Sequence, residues 1–368
     1  MNAQRLDRTY ALMQQAGLQA LALVPGPTLF YLTGLSFHLM ERPIFCLLLG
    51  DRPPCMVVPE LERAKVEGAG FAGEVLSYDE RQGASAAAAQ AAARYAGLER
   101  QRAGVEPTHM RFLELSLLQA AAPQVDWVSA EGALETLRAL KEPAEIDCMQ
   151  RAAVIAEQAL EATLPLIRPG MTERELAAEL TLQLLRAGSD ALAAFDPIVA
   201  TGPNSALPHA TPTDRTLQPG DLLILDWGAR VQGYISDLTR TFAVGEVDAE
   251  LAEIHAIVLR ANQAGVQAVH PGARCGEVDR AARQVIKAAG YGECFIHRTG
   301  HGLGLEGHEP PYIRQDADDP LQPGMAFTVE PGIYLPGRGG VRVEDDVVVT
   351  DQGARSLTGA ARELRQVG

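Results

Sequence analysis

The sequence predicts an α/β (α+β) protein of two domains, the second built from an internal repeat with pseudo-twofold symmetry. Three observations predict this. The chain is 368 residues long, enough for two domains of ordinary size. Its first third alternates helical and strand periodicities. The remainder says the same thing twice: LQPGDLLILDWG at Leu217–Gly228 returns as LQPGMAFTVEPG at Leu321–Gly332. Each copy runs from Leu-Gln-Pro-Gly through an apolar strand to an acid, Asp226 or Glu330. Aspartate and glutamate are depleted in strands and seldom buried without a partner. Two such ends suggest one shared target.

Residues 1–130 begin with an amphipathic helix, MNAQRLDRTYALMQQAG. Strands are expected at 18–24, 44–50, 55–59 and 103–107, an Ala-rich helix at 84–96 and a further helix at 109–121. This is a small α/β domain. Lys141-Glu142-Pro143 punctuates a helical region, with proline suited to a helix start. The boundary is placed near 135, giving domains 1–135 and 136–368. A long amphipathic helix follows, from Ala144 to about Ile167.

The repeat also includes helices. PGMTERELAAELTLQLLRAG (169–188) aligns with PGARCGEVDRAARQVIKAAG (271–290) at an offset of 102, against 104 for the strands. Single Pro-Gly matches recur by chance in a chain with 23 Pro and 35 Gly. Four aligned features in one order indicate a duplicated unit folded face to face.

After Asp226 the pattern is that of a β-hairpin. If Asp226 and Asp237 oppose each other, its turn centres between Val231 and Gln232, and both acids share a face. Two aspartates so placed repel in a low-dielectric interior and need a cation between them. A second hairpin joins AFTVE to VRVEDDVVVT through PGIYLPGRGG. Arg342 and Glu344 share a face there and Asp346 returns to it, so periodicity leaves open which acid of Glu344-Asp345-Asp346 faces the target. Between the hairpins, His297, His301 and His308 fall within twelve residues of a chain holding 8 histidines. Asp, Glu and His ligands around a cleft suit Mn, Co, Zn or Fe, and a mainly carboxylate set with one imidazole leans towards Mn or Co.

Several classes are excluded. A net charge of −15 argues against nucleic acid and anionic membranes as partners. No apolar run approaches the ~20 residues of a membrane span, and the N-terminus lacks the apolar core of a signal peptide. The 5 cysteines have no zinc-type spacing and fit packing roles in a reducing cytoplasm. Gly302–Gly307 matches GxGxxG, but it neither follows a strand nor opens a helix, so a dinucleotide site fails on context. His308-Glu309 does not extend to HExxH, because position 312 is Tyr. No GxSxG elbow or phosphate-binding loop is present.

On these residues the chain resembles the Xaa-Pro peptidases, prolidase and aminopeptidase P, of the pita-bread metallopeptidase family that includes methionine aminopeptidase and creatinase. The specific motifs cover roughly 140–368, and the N-terminal part resembles the creatinase-like domain more loosely. The resemblance implies metal-dependent hydrolysis of Xaa-Pro bonds by a metal-bridging hydroxide. It implies two divalent ions, manganese first, on Asp226 and Asp237 (LDWGARVQGYISD), His301 (HRTGHGLG), Glu330 (TVEPGIY) and Glu344 (VRVED). It selects Glu344 over its acidic neighbours and gives Asp237 and Glu344 the bridging positions. His209 (LPHA) and His308 (GHEPP) match substrate- and transition-state-contacting histidines; Glu330 serves as proton shuttle, and Arg342, His297 and Tyr334 match further active-site positions. Creatinase lacks the metal ligands, and methionine aminopeptidase usually lacks the large N-terminal domain. A dipeptidase on short proline-containing peptides is favoured; the alternatives are an Xaa-Pro aminopeptidase on longer peptides, a non-catalytic pita-bread binding protein and an enzyme of non-peptide amides. The loop TGLSFHLMERP (33–43) carries His38, Glu41 and Arg42. In a homodimer it could cap the neighbour's site, with His38 and Arg42 binding substrate; otherwise it is a surface loop.

Overall fold

The computed structural model describes residues 2–50, 52–93, 102–191 and 193–368. They form two compact units, Met1–Arg138 and Ala139–Gly368. The division falls at the end of the helix Glu131–Ala139, inside which position 135 lies.

The N-terminal unit is built on one six-stranded sheet. Its spatial order is Glu74–Tyr78, Arg52–Pro59, Phe45–Leu49, Ala20–Leu23, Arg102–Val105 and Asp126–Ser129. Ala20–Leu23 pairs antiparallel with Phe45–Leu49 and parallel with Arg102–Val105. Ala20–Leu23 and Phe45–Leu49 are buried along their length, which explains why LALV and FCLLL read as unbroken apolar runs. The Ala-rich helix spans Gly83–Ala92; positions 94–96 of the expected helix lie outside the described residues. Sequence periodicity missed the helices Pro27–Thr33 and Glu60–Gly68 and the strands Glu74–Tyr78 and Asp126–Ser129. Each is short, and the two strands carry little apolar alternation.

The C-terminal unit opens with the helix Pro143–Thr163. Proline occupies its first turn, and a capping box joins Glu142 and Glu145, with the Glu142 N–H donating to the Glu145 carboxylate at 2.7 Å. The duplication is visible in matching backbone hydrogen bonds. Gly170 N–H donates to Leu217 O as Gly272 N–H does to Leu321 O; Glu173 to Arg215 as Cys275 to Asp319; Arg174 to Thr213 as Gly276 to Ala317; Gly220 to Val244 as Gly324 to Val349. The helices Glu173–Ala187 and Cys275–Ala288 are therefore tied to the LQPG strands in the same way. Gly220 and Gly324 have φ of 94° and 92°, a left-handed conformation that a side chain resists, so both LQPG turns keep their glycine.

The two LQPG strands sit in different sheets. Leu222–Trp227 lies between Ile198–Thr201 and Leu238–Val244, with Arg365–Val367 at the edge. Ala326–Val329 lies between Gly300–Gly302 and Asp345–Thr350, flanked by Glu309–Ile313 and Gly353–Ser356. The sheets meet at an antiparallel bridge, Thr239 to Glu344. Each packs on helices: Leu176, Leu180 and Leu184 against Leu223, Leu225 and Trp227 in one half, and Val266 and Val278 against Phe327, Val329, Val347 and Val349 in the other.

Candidate active site

The first hairpin corrects one expectation. Its turn centres between Gln232 and Gly233, at φ of 51° and 87°, the two left-handed residues of a tight hairpin turn. Asp226 consequently opposes Thr239, not Asp237. A centre one residue later shifts every partner by two, so Asp237 becomes the diagonal neighbour of Asp226 and keeps the same face. The backbone there is tight: a Cβ on Gly228 would lie 1.9 Å from the Ser236 carbonyl oxygen.

In the second hairpin Val329 opposes Asp345 and Gly332 opposes Arg342. The same register sets Glu330 opposite Glu344. Neither belongs to that ladder, because Glu330 N–H donates to Thr299 O (2.7 Å) and Glu344 N–H to Thr239 O (3.1 Å). The strands part at the two glutamates and pair with other segments. This parting brings the second hairpin's acids to those of the first.

Asp226, Asp237, His301, Glu330 and Glu344 line one cavity of about 420 Å³, together with His209, His297, His308 and Arg342. Tyr334 lies behind its wall, 3% exposed. Of the acid run, Glu344 faces the cavity. Asp345 turns away to Arg240 (2.9 Å), Arg362 (2.6 Å) and Thr358 (2.8 Å). Asp346 stands behind the site, accepting the N–H of Asp237 at 3.0 Å. His38 and Arg42 belong to the N-terminal unit. The Arg42 guanidinium is held there by Glu80, through two hydrogen bonds of 2.7 and 2.9 Å, and by Glu41 at 3.1 Å.

The hydrogen-bond partners assign the histidine tautomers. His301 has Nδ1 3.1 Å from the Gly302 carbonyl, which can only accept, so Nδ1 carries the proton. The lone pair on Nε2 then faces Glu330 Oε1 at 3.4 Å and Asp237 Oδ2 at 3.9 Å. Those distances would suit an ion pair with a charged imidazole, but burial and the neighbouring His308 push His301 down to about 3, so the ring is neutral. When those two acids are ionised, acceptor faces acceptor. Arg298 donates to His308 Nδ1 at 3.1 Å, leaving the His308 proton on Nε2. The His308 ring lies against His301 with centroids 3.8 Å apart. His297 donates from Nδ1 to the Arg298 carbonyl and accepts from the Tyr334 hydroxyl, which in turn accepts from Arg342.

The electrostatics are dominated by burial of like charges. Burial, then Glu344 and Asp226, holds Asp237 well above the ordinary carboxylate range. Burial, then Glu330 and Asp226, does the same for Glu344. Glu330 is pushed up to about 8, mainly by burial and against the pull of Arg342. Arg342, 3% exposed, is the internal counter-charge, bonded to Asp226 Oδ2 (2.5 Å), Thr239 Oγ1 (3.0 Å) and Pro208 O (3.2 Å). Asp226 Oδ1 is buried without a hydrogen-bond partner. One donor atom each from Asp237, His301 and Glu344 lies within 4.8 Å of the other two. An orphaned carboxylate oxygen, an imidazole lone pair aimed at acids and several oxygen donors fit divalent cations.

Sequence reasoning passed over Arg298, Phe195 and Ile198, which also line the cavity. Arg298 was within sight, next to His297 in HRTGHG. Phe195 and Ile198 carry no signal beyond an apolar segment.

Fold and site together define a metal-dependent hydrolase on a duplicated α/β scaffold. The chain belongs to metallopeptidase family M24, whose model matches residues 147–351, and the creatinase/prolidase N-terminal domain model matches 5–140. It is 34% identical over 367 residues to the Xaa-Pro dipeptidase of Pyrococcus horikoshii, covering 98% of each chain. The solved prolidase of Thermococcus sibiricus matches with a TM-score of 0.94 at 34% identity over 100% of both chains. A dipeptidase structure from Pyrococcus horikoshii matches with a TM-score of 0.93 at 39% identity, covering 99% of this chain and 100% of that one.

Proposed function

We propose that the chain is an Xaa-Pro dipeptidase using two divalent cations, manganese by preference, held by Asp226, Asp237, His301, Glu330 and Glu344. The observation that carries this reading is the His301 lone pair facing the oxygens of Glu330 and Asp237. Once those carboxyls are ionised, a cation reconciles the three acceptors at that range. When bound, the cations supply a water of lowered pKa as nucleophile and draw charge from the scissile carbonyl. The remaining work belongs to the chain. His308, with its proton on Nε2, donates to the carbonyl oxygen as negative charge develops, and His209 faces the same substrate. Glu330 would accept the proton that the attacking water loses and pass it to the leaving proline nitrogen as the C–N bond breaks. Phe195, Ile198 and Pro208 offer the apolar wall a pyrrolidine ring needs. Arg342, Tyr334 and His297 form a relay that fixes Asp226 from behind. An Xaa-Pro bond has no N–H, so a site that binds substrate without that donor is required.

Residues 1–135 form the creatinase-like domain in this reading, and 136–368 the catalytic one. The molecule is a cytoplasmic homodimer. Its five cysteines are free thiols, four of them buried, as a reducing compartment requires, and no described helix is long and apolar enough to cross a membrane. The loop 33–43 of one copy caps the other's cleft, where His38 and Arg42 meet the substrate carboxylate; Arg42 must then share its guanidinium between that carboxylate and Glu80.

The deciding experiment compares an Xaa-Pro dipeptide with an Xaa-Pro tripeptide after chelation and readdition of Mn. Preference for the dipeptide is expected. Equal rates would make the enzyme an aminopeptidase. Arg42→Ala is expected to raise KM for the dipeptide by about tenfold, the loss of one charge-assisted contact, and to leave tripeptide hydrolysis unchanged.

A pH effect follows from the raised acids. In the metal-free chain Asp237, Glu330 and Glu344 titrate above their unfolded values. The folded state therefore holds protons that the unfolded chain has released, and stability falls as pH rises from the ordinary carboxylate range towards about 8. Cation binding must expel those protons. Calorimetric titration of Mn at neutral pH is expected to show proton release through a binding heat that varies with buffer ionisation enthalpy. A heat independent of buffer would show that the acids are already ionised.

A further inference from the structure

His209 has the weakest anchorage of the cavity's histidines. It sits in the connection between the strand Ile198–Thr201 and the LQPG turn, and among the described residues its imidazole makes no side-chain hydrogen bond. Its direction is set by the backbone that carries it. That backbone is clamped from beneath by one carboxylate. Glu173, in the first turn of the helix Glu173–Ala187, is fully buried. Its Oε1 accepts from Thr201 N–H (2.8 Å) and Asn204 Nδ2 (3.1 Å). Its Oε2 accepts from Asn204 Nδ2 (3.1 Å), Thr213 N–H (2.9 Å) and Thr213 Oγ1 (2.6 Å). Thr201 and Thr213 are the two ends of the segment with His209 near its tip. Every one of these donors is neutral, so the carboxylate is held by hydrogen bonds from the loop it organises.

Two further contacts register the clamped loop against the site. Gly340 N–H donates to Ser205 Oγ at 2.8 Å, and Arg342 donates to Pro208 O at 3.2 Å, one residue before His209. The other half contains a similar contact, one helical turn beyond the position equivalent to Glu173, from an acid that also pairs with Arg283 at 2.8 Å. Asp279, fully buried on the helix Cys275–Ala288, accepts from Thr299 N–H (3.0 Å) and Thr299 Oγ1 (2.9 Å), between His297 and His301. In each half a buried helix-borne acid grips the N–H and hydroxyl of a threonine in a histidine-bearing segment. A purely structural acid could sit at any loop; both of these sit at loops that deliver imidazoles to one cavity.

We infer that Glu173 is a positioning residue that fixes the loop 201–213 and thereby aims His209 at the substrate. The inference rests on the reading of His209 as substrate-contacting. Its electrostatic logic is specific. A carboxylate presents acceptors at both ends, to Thr201 and to Thr213. An amide of the same shape presents an acceptor at one end and an N–H at the other, opposite an N–H donor. Glu173→Gln therefore releases one end of the clamp without emptying the space.

The test is a double-mutant cycle on Xaa-Pro dipeptide hydrolysis in the Mn-loaded enzyme, with variants Glu173→Gln, His209→Ala and both. Glu173→Gln is expected to lower kcat about tenfold or more, since misplacement on the ångström scale is costly to a reaction that depends on orientation, with KM within about twofold. In the His209→Ala background the same change is expected to cost less than about twofold. Thr213→Val and Thr213→Ser provide a milder pair in case Glu173→Gln folds poorly: valine removes one donor and should reproduce part of the loss, and serine should restore it. If Glu173→Gln or Thr213→Val costs as much in the His209→Ala background as in the parent, the clamp's link to His209 is overturned. Full activity in both clamp variants would overturn it too. Full activity of His209→Ala alone would instead remove the role of His209, and the inference with it.

Discussion

Replacing Asp237 by Asn is expected to lower kcat/KM on an Xaa-Pro dipeptide by about a thousandfold or more, and to raise the unfolding midpoint of the metal-free chain. A thousandfold is about 4 kcal/mol of barrier, the scale on which loss of a metal-ion contribution is felt. The gain in stability comes from the same carboxylate. Asp237 is buried among Glu344, Asp226, Asp346 and Glu330, all of its own sign. The amide keeps the shape and removes the like charge. The gain should grow with pH, because at low pH the acid is already protonated and resembles the amide. Mn should then raise the variant's midpoint much less than that of the parent. Kinetics and thermal unfolding with and without chelator measure both effects. A variant that is inactive but destabilised in the metal-free state would show that Asp237 holds the fold instead of the cations.

Arg342→Met is expected to destabilise the C-terminal unit by about 3–5 kcal/mol, the usual result of removing one partner of a buried pair, and to cut activity about a hundredfold. The guanidinium bonds Asp226, Thr239, Tyr334 and Pro208. Without it Asp226 loses its counter-charge and the loop before His209 loses a tether. Arg342→Lys should recover little, because one ammonium cannot span the fork that the planar group reaches. Denaturant titration beside steady-state kinetics distinguishes the outcomes. If lysine restores both stability and rate, the arginine acts only as a point charge.

Much of the candidate site is legible in the sequence, because the fold repeats itself. Asp226 and Glu330 stand at the same place in two copies of one strand motif. Three histidines crowd the segment between the hairpins. The two-domain α/β class followed from periodicity and the duplicated Pro-Gly punctuation. Those signals are local: they depend on spacing along the chain and on the period of a strand or helix.

What the tertiary structure decided is non-local. The opposing partner of Asp226 turned out to be Thr239, since the hairpin turn formed at Gln232-Gly233, where two left-handed residues match the twist of the strands. Glu344, Asp345 and Asp346 are equivalent as acids. They part company because Glu344 pairs its backbone with Thr239, Asp345 meets Arg240 and Arg362, and Asp346 backs Asp237. Glu173 gains its role from the loop 201–213, distant in sequence, and Arg298 from the bond that folding gives it to His308, ten residues on. By itself the sequence determined which strands end in acids and that the chain folds as a duplicated pair. Which acids meet, which imidazole nitrogen keeps its lone pair and which arginine neutralises them were decided by tertiary contacts, because the energy of a buried charge depends on what surrounds it in space and not on its neighbours in the chain.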